Sequence, residues 1–252
     1  MNITWDADKY TEDFSFVHQY GNQVADWIEA EAGSTVLDLG CGNGALTNGL
    51  KEKGFAVMGM DASQAFLEIA RNHYPDILFI QADATKFSLE QPVDVVFSNA
   101  VFHWIDPARQ PELLRCVYQA LKENGEFVFE FGGQGNNRLI HRALAEVFSA
   151  CGYAYKMPFY FPGIGEYAAL LEQTGFQVRR AVLFDRPTAL NGEQGLKDWL
   201  NMFVKTPFSV VKSPEDREKI LDDTVEQLRE ALYKDGRWYA DYVRLRMRAI
   251  KK

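Results

Sequence analysis

The stretch Val36-Leu37-Asp38-Leu39-Gly40-Cys41-Gly42-Asn43-Gly44 decides the reading of this chain. Its first four residues have the apolar character of a buried strand, and its glycines lead into a helical pattern at Ala45–Lys53. Glycine lets the backbone turn tightly and brings a ligand against the main chain, while a helix N-terminus offers free amide groups. The spacing is G-x-G-x-G, whereas a dinucleotide fingerprint is G-x-G-x-x-G. No Gly-Lys-Ser/Thr comes after it, so a phosphate-cradling P-loop is also excluded. Asp38 stands two residues before the first glycine, where a carboxylate would repel a pyrophosphate but suits an ammonium group.

Outward from this loop, short apolar runs alternate with helical patterns, the mark of a parallel α/β sheet. Strands are expected at Thr35–Leu39, Ala56–Met60, Leu78–Gln81, Val93–Ser98, Glu126–Phe131 and Phe176–Phe184. Helices are expected near Ala45–Lys53, Ser63–His73, Ala108–Lys122, Arg138–Ala150 and Ile164–Thr174, with Ser63 as an N-cap. Near the end, Val243, Leu245, Met247 and Ala249 alternate with Arg244, Arg246 and Arg248, which predicts a half-exposed strand near the sheet edge with its arginines in solvent. Helical patterns at Gly192–Phe203 and Pro214–Tyr233 fall in a long insertion, more in keeping with a cap than a connection. The expected organisation is one domain over 1–252. It has an N-terminal helical segment 1–30, a core of 31–184 and 237–252, and an inserted helical cap 185–236.

Two further carboxylates stand at strand ends. Asp61 closes the second strand, where it is placed to accept ribose hydroxyls, and Asp83 comes just after the third, within reach of an adenine amino group. Each alone has the plainer alternative of a turn or cap residue; with Asp38 they form an adenosine-binding pattern along one sheet edge.

These residues, with Val93-Asp94-Val95-Val96-Phe97-Ser98-Asn99-Ala100, resemble the class I S-adenosylmethionine-dependent methyltransferases. The stretch Ser98-Asn99-Ala100-Val101-Phe102-His103-Trp104-Ile105 is similar, more narrowly, to the trans-aconitate methyltransferase group and its malonyl-carrier-protein relatives. The specific match covers roughly residues 30 to 131. The resemblance implies a Rossmann-like doubly wound α/β sheet of seven strands, the last antiparallel. It implies S-adenosyl-L-methionine as cofactor, leaving S-adenosyl-L-homocysteine as product. It places cofactor contacts at Tyr10, Asp38, Gly40, Gly42, Asn43, Asp61, Ala62, Asp83, Ala84, Asn99 and Trp104.

The acceptor is read from the segment after the fourth strand. The Asn/Asp-Pro-Pro-Tyr signature of methyltransferases acting on base or glutamine amino groups is missing, which favours a carboxyl, hydroxyl, carbon or thiol acceptor. His103 is the candidate catalytic group, as a base or as a hydrogen-bond donor to a carboxylate; the plainer alternative is that His103 and Trp104 only wall the pocket. Arg138, Arg142 and Arg186 are candidate clamps for an anionic substrate. Phe159, Tyr160, Phe161, Trp199 and Phe203 either line an acceptor pocket or pack the cap's own core. The aromatic N-terminus (Trp5, Tyr10, Phe14, Phe16, His18 and Tyr20) reads as a lid over the cofactor or as an ordinary docking helix.

With 47% hydrophobic and 25% charged residues, the 252-residue chain has the make-up of an ordinary globular protein. A net charge of -8 argues against nucleic acid. Cys41, Cys116 and Cys151 lack metal or disulfide spacing, and no stretch reads as a signal or a membrane span, so a cytoplasmic monomer or homodimer without metal is expected. The leading expectation is a small-molecule methyltransferase. The alternatives are a methyltransferase of carrier-protein-bound acyl groups and a non-catalytic binding protein for the same cofactor.

Overall fold

The computed structural model describes the chain from Phe16 to Lys252, with side chains from Gly21 onward. Strands β1 (Thr35–Leu39), β2 (Ala56–Asp61), β3 (Leu78–Gln81), β4 (Val93–Asn99) and β5 (Leu121–Gly132) pair in parallel in the order β3-β2-β1-β4-β5. Beyond β5 the sheet continues with β8 (Arg237–Lys251) and then β6 (Phe176–Ala189), and β8 runs antiparallel to both. A two-residue strand, β7 (Tyr233–Lys234), folds back on the start of β8.

Helices cover both faces, as the near-continuous apolar character of the central strands requires. On one face α4 (Gln110–Ala120) and α6 (Ile164–Thr174) pack Leu113, Leu114, Val117, Tyr167 and Leu171 against Phe127, Phe129, Leu245 and Met247. On the other, α1 (Phe16–Ala25) and α2 (Ala45–Glu52) bring Val24 and Leu50 against Val36, Val95, Phe97 and Val128. Helix α3 (Gln64–His73) starts at Ser63, whose hydroxyl accepts the Phe66 N–H, and packs Leu67 and Ala70 on Phe79. A separate apolar cluster joins α5 (Arg138–Ala150), α7 (Gly195–Phe203) and α8 (Pro214–Leu232) to Trp238, Ala240 and Tyr242 of β8.

Two expectations are corrected. Strand β6 does not stop at Phe184: it runs on to Ala189, pairing Asp185 to Ala189 with Val243 to Tyr239 of β8, so these five residues belong to the sheet and not to the insertion. Pro187 is tolerated because β6 is the edge strand, where a missing N–H leaves no ladder bond unmade. The second correction concerns the arginines of β8. They lie in a strand flanked on both sides, and Arg244 and Arg246 are buried. For Arg246 and Arg248 the reason is Glu126 and Glu130 of β5. Arg246 Nε donates to Glu130 at 2.7 Å, Arg186 donates to the same carboxylate at 2.5 and 3.1 Å, and Arg248 Nε donates to Glu126 at 2.8 Å. Arg186, a candidate substrate clamp, is therefore committed to Glu130 at 9% exposure. Arg138 and Arg142 are exposed, and Arg142 faces Glu146.

Among the described residues no helix is long and apolar enough to cross a membrane, and no three His, Cys, Asp or Glu side chains gather as metal ligands.

Candidate active site

The carboxyl ends of β1, β2 and β4 open onto a cavity of about 410 Å³. Its floor is the glycine turn. Gly40, Gly42 and Gly44 have φ of +80°, +54° and +81°, in the left-handed region that suits glycine. They are not equivalent. A Cβ on Gly40 would stand 2.2 Å from a Val101 methyl, whereas one on Gly42 would meet nothing within 4 Å. Gly42 thus faces open space on the cavity wall, and Gly40 is closed against the segment after β4.

Asp61, Ala62, Asp83, Ala84, Asn99 and Trp104 line the same cavity with Gly40 and Gly42. Asp61 also ties the turn to β2: its carboxylate accepts the Gly42 N–H at 3.0 Å and the Ser63 N–H at 2.8 Å. Burial raises the Asp61 pKa, partly countered by these amide donors. Asp83 accepts the Thr85 N–H at 2.9 Å and pairs with Arg109 at 3.3 Å. Burial alone would raise Asp83, but the Thr85 hydrogen bonds and the Arg109 charge outweigh it and hold the acid below its usual value.

Asp38 and Asn43, also expected at the cofactor, both make hydrogen bonds within the protein. The buried Asp38 carboxylate accepts the Thr47 hydroxyl at 2.7 Å, and Asn43 Oδ1 accepts the Ala45 N–H at 3.2 Å. Burial pushes Asp38 up to about 7, with the Thr47 hydrogen bond opposing and the Asp61 charge adding. Tyr10 and the other N-terminal aromatics to Phe14 lie outside the described residues, as do the side chains of Phe16, His18 and Tyr20.

Asp38 has a consequence for stability. A carboxyl whose folded pKa exceeds its unfolded value contributes stability that is full below about pH 4 and is lost as pH rises through about 7. A shift of this size corresponds to at most about 4 kcal/mol. Urea denaturation from pH 4.5 to 7.5 is expected to show Asp38→Asn gaining on the native chain as pH rises; parallel curves would refute this.

A second, smaller pocket of about 40 Å³ opens from the same wall, sharing Ala100 and Trp104 with the cavity. His103, Asn136, Asn137, Phe159, Phe161, Trp199, Phe203, Tyr242 and Arg244 complete it, while Tyr160 turns away to donate to Glu166. Two non-glycine residues of this pocket hold left-handed backbone, Ala100 at φ 62° and Asn137 at φ 52°, a strain that concentrates at functional sites. The Asn137 side-chain oxygen is buried with no hydrogen-bond partner. His103 is buried among rings, and its Nδ1 accepts the Gly132 N–H at 3.3 Å. Burial, with Arg244 nearby, holds its pKa well below 6.5. The ring is therefore neutral near pH 7, and with Nδ1 accepting, its proton belongs on Nε2.

Thr85, Asp106, Arg109, Thr206, Asn136, Asn137, Tyr242 and Arg244 are the polar lining groups that sequence reasoning missed. The run Gly132-Gly133-Gln134-Gly135 before the asparagines is the available signal, since it frees the chain at the end of β5.

The donor set and cradle fit an adenosine-type cofactor. Two strand-end carboxylates suit hydroxyl and amino donors, the open face of Gly42 leaves room beside the main chain, and Met60, Phe66 and Ile105 supply apolar walls. Comparison with known proteins agrees. Residues 36–125 match the family described as methyltransferase domain. The uncharacterized methyltransferase C70.08c of Schizosaccharomyces pombe is 31% identical over 98% of both chains. The trans-aconitate 2-methyltransferase of Enterobacter sp. (strain 638) is 30% identical over 75% of this chain and 74% of its own. In fold, the magnesium protoporphyrin IX methyltransferase of Synechocystis PCC 6803, solved with bound S-adenosylhomocysteine, superposes with a TM-score of 0.59 at 15% identity, covering 93% of this chain and 83% of that one. The YcgJ protein of Bacillus subtilis gives 0.62 at 14%, covering 93% and 99%. With the glycine turn, the strand-end carboxylates and the 3-2-1-4-5 sheet order, these relatives establish that the chain belongs to the class I S-adenosylmethionine-dependent methyltransferases.

Proposed function

We propose that the protein methylates a carboxylate of a small-molecule acceptor held in the smaller pocket. The observation that carries this reading is the placement of Arg244 and neutral His103 in a ring-walled pocket that shares Ala100 and Trp104 with the larger cavity. The name of the trans-aconitate relatives lends support.

In this reading Gly40 and Gly42 lie against the cofactor, while Asp61 and Asp83 accept its hydroxyl and amino donors. When bound, the cofactor would supply an electrophilic sulfonium methyl to a carboxylate oxygen and leave as the neutral thioether, a transfer that calls for no proton to move. A carboxylate is ionised near neutral pH and needs no general base. The work left to the chain is orientation and exclusion of water. The rings exclude water, Arg244 offers a fork to the carboxylate, and His103 donates through Nε2 instead of accepting a proton. Helix α7 supplies Trp199 and Phe203, so the insertion acts as a cap over the acceptor.

The test is incubation with methyl-labelled cofactor and a panel of carboxylic acids, phenols and amines. Labelled ester is expected from acids; label in phenols or amines alone would overturn the reading. His103→Ala is expected to lower kcat about 10- to 100-fold at saturating cofactor, as for the loss of one hydrogen bond to a charged group, with S-adenosylhomocysteine affinity unchanged. Intact turnover with weakened cofactor binding would make His103 a wall residue only. With His103 neutral throughout, kcat is expected to show no titration of this ring from pH 6 upward.

A further inference from the structure

The smaller pocket is charged at one point. Among its described lining residues Arg244 is the single cation, its guanidinium lying over the Tyr242 ring at 4.3 Å. Arg186 and Arg246, its neighbours on the same side of the sheet, are both held by Glu130. Around Arg244 the walls are rings: Trp104, Phe159, Phe161, Trp199, Phe203 and Tyr242. The volume of about 40 Å³ holds roughly three water-sized groups, the size of one carboxylate.

Resting on the carboxylate reading above, we infer that the acceptor carries a single carboxylate on an apolar body, and that di- and tricarboxylates are rejected. A guanidinium presents five N–H donors in a planar fork, so Arg244 grips a carboxylate with one edge while keeping its other contacts. The His103 Nε2–H provides a further donor on the pocket wall, while the buried Asn137 side-chain oxygen, which has no hydrogen-bond partner, is an acceptor that a second anion would meet unfavourably. A second carboxylate of the same acceptor would be pressed among aromatic rings without a cation, and an uncompensated buried charge is strongly disfavoured. In the larger cavity the charged lining groups are Asp61, Asp83 and Asp106, which repel anions, and Arg109, which is paired with Asp83 and Glu112. The acceptor pocket thus fits a mono-acid, unlike the tricarboxylate after which the trans-aconitate relatives are named.

Calorimetric titration of the full chain saturated with S-adenosylhomocysteine tests this without relying on turnover. The probes are phenylacetate and crotonate as mono-acids, trans-aconitate and citrate as tri-acids, and phenylacetamide as the uncharged control. At least one mono-acid is expected to bind about 10-fold or more tighter than either tri-acid and than the amide. Arg244→Gln is expected to erase the preference for phenylacetate over phenylacetamide, and Arg244→Lys to keep part of it. Trans-aconitate or citrate binding as tightly as the mono-acids would overturn the single-carboxylate inference and leave the carboxylate reading standing. Equal binding of phenylacetate and its amide by the native chain would overturn the role of Arg244, whether or not the variants fold. If none of the acids binds while the labelled-methyl panel marks phenols or amines, the carboxylate reading itself falls.

Discussion

Replacing Glu130 by Gln is expected to destabilise the protein by about 3–5 kcal/mol, the usual cost of leaving buried charges without their counter-ion. Glu130 is 2% exposed and is the carboxylate shared by Arg186 and Arg246. Removing its charge takes from two guanidiniums, each 9% exposed, the carboxylate that they share. Arg246 keeps one bond to the Gln23 carbonyl at 2.9 Å, and both arginines keep the Phe184 ring. Neither contact neutralises charge. The exposed pair Lys53–Asp26 offers a control, where Asp26→Asn should cost less than about 1 kcal/mol. Urea denaturation of the three proteins compares them directly. A Glu130→Gln variant within about 1 kcal/mol of the native chain would mean that water reaches the cluster and screens it. The damage should extend to function, because the Glu130 carbonyl accepts the Ala100 N–H at 2.7 Å and so anchors the strained turn between the two pockets.

The second large effect is expected at Asp61. Asp61→Ala should weaken S-adenosylhomocysteine binding about 100-fold by calorimetry, the equivalent of two hydrogen bonds to a charged acceptor. Part of the loss comes through the protein itself, since the carboxylate also braces the Gly42 and Ser63 amides. Asp61→Asn separates the two contributions: its amide oxygen still accepts one bond, so about a 10-fold loss is expected. Asp83, nearer to solvent and already served by Thr85 and Arg109, should matter less. An Asp61→Ala variant that binds within about 3-fold of the native chain would reduce Asp61 to a brace of the loop.

The parts of this molecule that are legible in its sequence are those in which one residue type has one physical use. A glycine turn between an apolar strand and a helix is such a case, and so are carboxylates at strand ends. The arginines of β8 are the opposite case. Arg244, Arg246 and Arg248 alternate with apolar residues in a pattern shared by a solvated sheet face and a buried ion-pair ladder. Only the pairing of β8 with β5, 116 positions from Arg246 to Glu130, distinguishes them. The smaller pocket is half legible for a related reason. Its aromatics are visible in the sequence, but whether Trp199 and Phe203 face a pocket or a core depends on where α7 comes to rest. Asp38 shows the limit within a motif: its place in the chain is plain, yet the sequence does not show that its carboxylate accepts the Thr47 hydroxyl.

The position of β8 between β5 and β6 also bears on how the chain is made. Synthesis runs from the N-terminus at a pace of about 5–20 residues per second, so β1 to β5 emerge in an order that lets neighbours pair as they appear. Among the described residues the partner of β6 in the sheet is β8, which arrives only after α7 and α8, so β6 emerges before the strand that it joins. Until the stretch to Lys251 has left the ribosome, Arg186 and Glu130 have no β8 between their strands and Arg246 has yet to arrive. The half-made protein therefore carries an open β5 edge and a waiting strand, and closing that gap is the step at which the nascent chain is most exposed to mispairing.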